Sequence, residues 1–200
     1  MATVSPSPPP VFNIPNQLTA ARLFLAIVLF LLIAFQAWLW ALAVFAVAAF
    51  TDWLDGYLAR RQGLTSALGR VFDPLVDKIL ISGSYIFLLG VGERSGLQPW
   101  MVTVVVAREL VITGLRSYLE NRGTTFGADW LGKLKMVLQC AALFLIFATL
   151  HLETVEPATD FPWNLLRLRD GLIYAMLAAT ALSGLQYLYR AALLLQTREL

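Results

Sequence analysis

The feature that most constrains this chain is an almost unbroken apolar stretch from Leu23 to Phe50, interrupted only by Gln36. Its length of about 28 residues exceeds the roughly 20 apolar residues that cross a bilayer once, so we expect a turn near Gln36 and Ala37 to divide it into two helices. A soluble domain usually carries about a quarter charged residues. This chain of 200 residues is 58% hydrophobic and only 14% charged, which predicts an integral membrane protein.

Polar and basic residues separate the other apolar stretches and give six predicted spanning helices in all. Their approximate ranges are 18–36, 38–60, 69–90, 98–120, 130–150 and 170–193. Pro99 and Pro162 stand near the starts of the fourth and sixth helices, where proline is tolerated. No internal repeat divides the chain. We therefore predict an all-α integral membrane fold with one six-helix domain over residues 16–200, preceded by a short disordered Pro-rich tail over residues 1–15.

Two further features of the sequence bear on processing and on cysteine chemistry. The first residues lack the basic segment and short apolar segment of a secretory signal peptide, so we expect none to be removed. Cys140 is the single cysteine, which excludes an intrachain disulfide and argues against a cysteine-based metal site.

The distribution of basic residues predicts the orientation of the helices, because short cytoplasmic loops collect Lys and Arg. Most basic residues flank the second loop, the fourth loop and the C-terminus: Arg60, Arg61, Arg70, Arg116, Arg122, Lys133, Lys135, Arg190 and Arg198. The third loop holds Arg94 beside Glu93, and the fifth loop is acidic, although Arg167 and Arg169 follow it. We therefore expect the N-terminus and the basic loops to face the cytoplasm.

Four aspartates interrupt the second and third predicted helices. An Asp at the centre of a spanning helix costs roughly 2.5 to 3.5 kcal/mol on insertion scales, so the fold has to compensate each one. Asp52 and Asp55 are three residues apart, and Asp73 and Asp77 are four apart, so each pair lies on one face of its helix. Two facing helices would then present two carboxylates each.

Such a concentration of carboxylates predicts a metal site, because carboxylates repel one another unless cations hold them. Ligation by oxygen alone suits Mg²⁺, Mn²⁺ or Ca²⁺, and two ions can clamp a phosphoryl group during its transfer. Gly56 and Gly69 leave room for a ligand near the backbone, and Arg60 can bind phosphate. The alternative is that the aspartates are helix-end charges paired for structure, but the segment holds too few cations to neutralise four acids.

Eight positions of this segment have a defined spacing: Asp52-x2-Asp55-Gly56-x2-Ala59-Arg60-x8-Gly69-x3-Asp73-x3-Asp77. The spacing resembles the signature of the CDP-alcohol phosphatidyltransferase family, with every position filled. The resemblance implies a six-helix membrane enzyme, usually a homodimer, with a polar cavity open to the cytoplasm and two divalent ions, Mg²⁺ or Mn²⁺. It also implies that all four aspartates ligate metal and that Asp77 is the general base. The implied CDP-binding residues are Asp52, Asp55, Gly56, Ala59, Arg60 and Gly69.

Three more segments resemble the bacterial branch of the family whose acceptor is glycerol 3-phosphate: FNIPNQLTAARL at 12–23, ARELVITGLR at 107–116 and WLGKLKMVLQ at 130–139. This resemblance implies an enzyme of phospholipid biosynthesis in the bacterial inner membrane. The enzyme would transfer the phosphatidyl group of CDP-diacylglycerol to sn-glycerol 3-phosphate. It would be surrounded by membrane lipids and would have no nucleic-acid partner. The implied contacts of the acceptor phosphate are Arg108, Arg116, Lys133 and Lys135. The residues implied near the nucleotide or a phosphate are Asn16, Thr19 and Arg22.

The basic residues outside the aspartate segment also have a plainer interpretation. In it, four of them anchor helices at the cytoplasmic surface and extend their charged ends to water: Arg22, Arg116, Lys133 and Lys135. Arg108 differs, because it lies well inside an apolar helix, where a charged residue is by default functional. The alternative for Arg108 is a structural role, with its neighbour Glu109 paired to another helix.

For the reaction we expect direct displacement, with Asp77 accepting the proton of the acceptor hydroxyl. No Ser or Cys stands beside a His as an activated nucleophile. Two alternatives stay open: a different acceptor, inositol phosphate or phosphatidylglycerol, and a different class of protein, a metal-ion transporter, since acids in membranes also mark ion pathways. Against the transporter, the acids gather near one side of the bilayer and form no relay across it.

Overall fold

The described residues form helices and contain no β-strand. The computed structural model describes residues 14–62, 67–121, 130–155 and 162–196. Its helices are α1 (Ile14–Ala34), α2 (Trp38–Gln62), α3 (Ala67–Leu89), a 3₁₀-helix (Gly92–Ser95), α4 (Pro99–Asn121), α5 (Trp130–Val155) and α6 (Trp163–Gln196). This architecture confirms the predicted all-α fold and the order of its six helices. Residues 1–13, most of the predicted Pro-rich tail, lie outside the described residues.

The turn between α1 and α2 is where the apolar stretch was predicted to divide. Gln36 has a left-handed backbone, with φ of 55°. The amide of Ala37 donates to the carbonyl oxygen of Leu32 at 2.9 Å, and the amide of Gln36 donates to that of Ile33 at 3.0 Å. These two bonds are those of a Schellman motif, which satisfies the last carbonyls of a helix and reverses the chain. Because the turn is so short, α1 and α2 run antiparallel.

Helix α6 begins earlier than predicted. The sequence predicts a start near residue 170, whereas the helix starts at Trp163, directly after Pro162. The carbonyl oxygen of Pro162 accepts a hydrogen bond from the amide of Leu165 at 2.8 Å, so the first turn forms on the proline itself. The prediction followed hydropathy alone. It missed this first segment of the helix because the segment contains charged residues.

Two of the described helical segments, Trp130–Val155 and Trp163–Leu194, are long and apolar enough to cross a membrane. Shorter apolar helical segments cover Ala20–Ala34, Trp38–Thr51 and Lys78–Leu89. The charged residues that follow Thr51 and precede Ile79 shorten the apolar parts of α2 and α3.

Large apolar side chains on the outside of the structure support a lipid environment. Each α-helix has at least one that is half exposed or more, for example Phe24, Trp40, Leu75, Leu110, Val137 and Leu185. Soluble monomers rarely expose contiguous apolar surface on this scale, because water solvates it poorly. The surface of these helices is therefore typical of a membrane protein.

Helix α5 is held from two directions, which fixes the position of the polar residues near its start. On one side, Phe45 of α2 packs edge-on against Phe144, with ring centroids 4.9 Å apart. On another side, the hydroxyl of Tyr85 on α3 donates to the carbonyl oxygen of Gln139 at 3.0 Å. Lys135 precedes Gln139 by one helical turn, so these contacts also anchor the backbone that carries Lys135.

A polar network joins the helix ends opposite the α4–α5 connection. Arg94 of the 3₁₀-helix pairs with Glu153 of α5, with Nε and Oε2 3.0 Å apart. Arg169 of α6 donates from Nη1 to the carbonyl oxygen of Arg94 at 2.7 Å and pairs with Asp170 at 2.8 Å. Arg169 is buried, so it stabilises the packing of the 3₁₀-helix on α6. This contact accounts for the presence of Arg169 beside the fifth loop, which is predicted to be non-cytoplasmic.

Helices α1 and α3 approach closely at Gly83. A Cβ atom there would lie 2.3 Å from the ring of Phe30, which itself stacks on Phe87 with centroids 4.8 Å apart. We expect Gly83→Val to lower the free energy of unfolding by about 1 to 3 kcal/mol, the cost of overpacking. Thermal unfolding in detergent measures it. Gly114→Val is the matched control, since no atom of the described residues lies within 4 Å of an added Cβ there. An equal loss in both variants would contradict the packing argument.

Candidate active site

The four predicted metal-binding aspartates lie on two consecutive helices. Asp52 and Asp55 are in the second half of α2, and Asp73 and Asp77 are in the first half of α3. Their helical backbone is as predicted, but their side chains lie outside the described part of the structure. The same holds for the predicted CDP-binding residues Gly56, Ala59, Arg60 and Gly69. Their roles stay predictions.

The structure brings together two of the four predicted acceptor-phosphate cations. Lys135 of α5 donates from Nζ to Oε1 of Glu109 on α4. Arg108 donates from Nη1 to the same oxygen atom at 3.4 Å. The side chains of Lys135 and Glu109 are 7% and 9% exposed, and that of Arg108 is 15% exposed. We call these three residues the charge cluster.

The charge cluster retains hydrogen-bonding capacity for an anion. A guanidinium has five N–H donors and an ammonium has three. Among the described residues, Nε of Arg108 is buried and has no hydrogen-bond partner. Two cations facing one carboxylate leave a surplus of positive charge, which a phosphate group can neutralise through charge-assisted hydrogen bonds.

The other two predicted acceptor cations lie apart from the charge cluster. Arg116 is exposed, and its guanidinium carbon lies 5.8 Å from the ring centroid of Tyr187 on α6, a cation–π distance. It follows Arg108 by eight residues, or about 12 Å along the helix axis. Lys133 is exposed near the start of α5. Surface anchoring accounts for Lys133 and Arg116 as well as phosphate binding does.

The residues predicted near the nucleotide begin α1. Arg22 is buried, with 2% of its surface exposed, so its charged end does not extend to water as the anchoring interpretation requires. The burial of Lys135 is equally at odds with surface anchoring. Asn16 and Thr19 lie in the same helix, but their side chains are outside the described part of the structure.

Two polar residues in and beside the charge cluster were absent from the predicted site. The sequence predicted Glu109 only as a structural partner, and the structure confirms that it pairs with another helix. Gln139 lies one turn beyond Lys135, is buried, and has no partner for its Nε2 atom among the described residues. An ionisable group inside an apolar helix is itself a functional signal, which could have drawn attention to Glu109.

The described side chains include no group of three or more His, Cys, Asp or Glu residues that could hold a metal ion. The four aspartates are not among them, so the predicted metal site depends on side chains outside that part of the structure.

Comparison with known proteins identifies the class to which this helical fold belongs. The family model for CDP-alcohol phosphatidyltransferases matches residues 12–183, which include both the aspartate segment and the charge cluster. The chain therefore belongs to the CDP-alcohol phosphatidyltransferase family, as the sequence resemblance predicted.

Several relatives share one name, CDP-diacylglycerol--glycerol-3-phosphate 3-phosphatidyltransferase. The Bacillus subtilis protein is 33% identical over 195 residues, covering 88% of this chain and 94% of the relative. The Escherichia coli K12 protein is 37% identical over 142 residues, covering 66% and 75%. The Cereibacter sphaeroides protein is 34% identical over 152 residues, covering 72% and 67%.

Proposed function

We propose that this protein transfers the phosphatidyl group of CDP-diacylglycerol to sn-glycerol 3-phosphate, giving phosphatidylglycerol phosphate and CMP. The family supplies the donor chemistry, and the names of the relatives favour this acceptor. The structural observation that supports a phosphorylated acceptor is the charge cluster, where the buried Lys135 and the partly buried Arg108 share one carboxylate oxygen. A neutral acceptor would have no need of that surplus positive charge.

The setting that we propose is a bacterial inner membrane. The six helices would form one domain over residues 16–200 and surround a polar cavity open to the cytoplasm. Exposed apolar side chains on all six α-helices support the lipid environment. The basic residues near the α4–α5 connection support a cytoplasmic site, because short cytoplasmic loops collect Lys and Arg. A homodimer follows from the family resemblance.

The donor set suits a pair of divalent ions. Asp52 and Asp55 on α2, with Asp73 and Asp77 on α3, would supply oxygen ligands only, which hard cations such as Mg²⁺ and Mn²⁺ prefer. Bound ions supply charge neutralisation at the phosphoryl group and the leaving phosphate.

The residues of the chain account for the remaining steps. Arg108 and Lys135 hold the phosphate of the acceptor, which orients its free hydroxyl. Asp77 accepts the hydroxyl proton as the oxygen forms its bond to the phosphatidyl phosphorus. The bond from that phosphorus to the bridging oxygen breaks, and its electron pair leaves with CMP. Glycine at positions 56 and 69 would let the CDP group lie close to the backbone.

The test is an acceptor panel. Purified protein in detergent is given CDP-diacylglycerol with Mg²⁺ or Mn²⁺, and CMP release is compared for glycerol 3-phosphate, inositol phosphate, serine and phosphatidylglycerol. We expect release with glycerol 3-phosphate, its loss when a chelator removes the metal, and its recovery when Mg²⁺ or Mn²⁺ is restored. Preference for another acceptor would overturn the proposed substrate but keep the chemistry. No release with any acceptor, combined with ion flux in vesicles, would favour the transporter.

A further inference from the structure

Glu109 occupies an unusual position between the two cations of the charge cluster. It is buried in α4, and its Oε1 atom accepts hydrogen bonds from both Lys135 and Arg108. Lys135 is 26 residues further along the chain, so this contact depends on the fold and not on local helix geometry. One oxygen atom therefore determines where two positive charges meet.

The pairing spans helices that are not packed against each other. Among the described residues, α4 packs on α3 and α6, and α5 packs on α2, α3 and α6, but α4 and α5 do not pack along their lengths. The side chain of Lys135 nevertheless reaches Glu109. The contact between α4 and α5 is therefore made by the Lys135 and Glu109 side chains, and it holds the Lys135 ammonium beside the Arg108 guanidinium.

The stem of Arg108 is confined on its other side. Its Cγ atom would lie 3.2 Å from a Cβ placed at Gly184 of α6, so the absence of a side chain there lets Arg108 lie against α6. With its stem against α6 and Nη1 on Glu109, the guanidinium has a restricted orientation. Its unpartnered Nε atom is thereby held in place for an acceptor atom on a ligand.

An ionised carboxylate cannot itself donate a hydrogen bond to a phosphate and would repel it. The benefit of Glu109 must come through its partners. Cations fixed before the ligand arrives lose less conformational freedom on binding than flexible ones, and they hold the ligand in one orientation.

We infer that Glu109 is a positioning residue for the acceptor site, which orients Arg108 and Lys135 so that their remaining donors bind a phosphate monoester. The identity of that monoester as glycerol 3-phosphate rests on the proposed function. The positioning itself rests on the shared oxygen atom, the burial of Glu109 and Lys135, and the contact of the Arg108 stem with α6 at Gly184.

The test is Glu109→Gln, which keeps the shape of the side chain and removes its charge. Glu120→Gln is the matched control, because Glu120 is an exposed carboxylate near the end of the same helix. Binding of glycerol 3-phosphate to the full chain is measured as a rise in thermal unfolding temperature, with Mg²⁺ and CMP present. The kinetics of CMP release are then measured with each substrate varied in turn.

We expect Glu109→Gln to weaken glycerol 3-phosphate binding and raise its KM by about tenfold or more, since charge-assisted hydrogen bonds are lost. The KM for CDP-diacylglycerol should change by less than about twofold, because that substrate does not use the charge cluster. Glu120→Gln should match the unmodified protein. Glu109→Asp, which keeps the charge on a shorter side chain, should show a smaller loss and replaces the Gln variant if that one does not fold.

The outcomes separate this inference from the proposed function. Glycerol 3-phosphate binding that depends on Glu109, without CMP release, would support the inference and overturn the proposed function. Unchanged binding and kinetics in Glu109→Gln would overturn the inference alone. An equal rise in both KM values, or failure of both Glu109 variants to fold, would assign Glu109 to stability and also overturn it. If the unmodified protein did not bind glycerol 3-phosphate, the inferred binding site for the phosphate monoester would be contradicted.

Discussion

Replacing Asp77 by Asn is expected to lower the rate of CMP release by about 10²- to 10⁴-fold, the range that a general base contributes. Asparagine has nearly the shape of aspartate, but it carries no charge and cannot take the proton of the glycerol 3-phosphate hydroxyl. Asp77 lies within the helix Ala67–Leu89, so an isosteric change should leave α3 intact. The rate is measured as CMP released by purified protein from CDP-diacylglycerol, with Mg²⁺ and glycerol 3-phosphate.

The matched control for this change is Asp170→Asn. Asp170 is near the start of α6, and its side chain is 49% exposed. It pairs with Arg169 in the polar network at the helix ends opposite the α4–α5 connection. We expect that variant to keep its activity. If Asp77→Asn retained more than about a tenth of the activity in folded protein, Asp77 would not be the base.

The second large effect is expected for Arg108→Gln. The change would remove the proposed charge-assisted contact to the acceptor phosphate, worth about 1.5 to 3 kcal/mol, or roughly a 10- to 150-fold rise in the KM for glycerol 3-phosphate. Glutamine is uncharged and shorter, so Glu109 keeps Lys135 as its cationic partner. Initial rates of CMP release over a range of glycerol 3-phosphate concentrations measure the effect, at a fixed saturating concentration of CDP-diacylglycerol.

Arg167→Gln is the control for Arg108→Gln, because Arg167 is an exposed arginine near the start of α6. It should leave both KM values unchanged. A rise in the KM for CDP-diacylglycerol that equals the rise for glycerol 3-phosphate would place Arg108 at the nucleotide or in the general packing, and not at the acceptor phosphate.

The helices were predictable because hydropathy and turn residues act locally. The turn at Gln36 was predicted because the apolar stretch was too long for one crossing and Gln36 was its only polar residue, and the structure contains the turn. The start of α6 was not predictable in the same way. The segment that begins at Trp163 contains charged residues and lacks the hydropathy of a membrane span. It is nevertheless helical, and its first turn is bonded to the carbonyl oxygen of Pro162.

The candidate site was predictable only in part, because its chemistry depends on contacts between helices. The motif identified the family through residues close in sequence. The pairing of Glu109 with Lys135 joins α4 to α5, and no spacing in the sequence specifies it. Packing also decides whether a cation extends to water or is buried. The sequence therefore allowed two interpretations of the roles of Arg22 and Lys135 and none for Arg169, and all three are buried.

In the proposed membrane setting, the turn at Gln36 also affects how the chain would enter the bilayer during synthesis. From Leu23 to Thr51 there is no charged residue, so the tip of the α1–α2 hairpin carries the Gln36 amide as its most polar side chain. Moving that tip through hydrocarbon avoids the roughly 2.5 to 3.5 kcal/mol that each Asp, Lys or Arg would add. In that setting the first two helices would insert together as a hairpin, with Arg22 and the aspartates of α2 left on the side from which they entered.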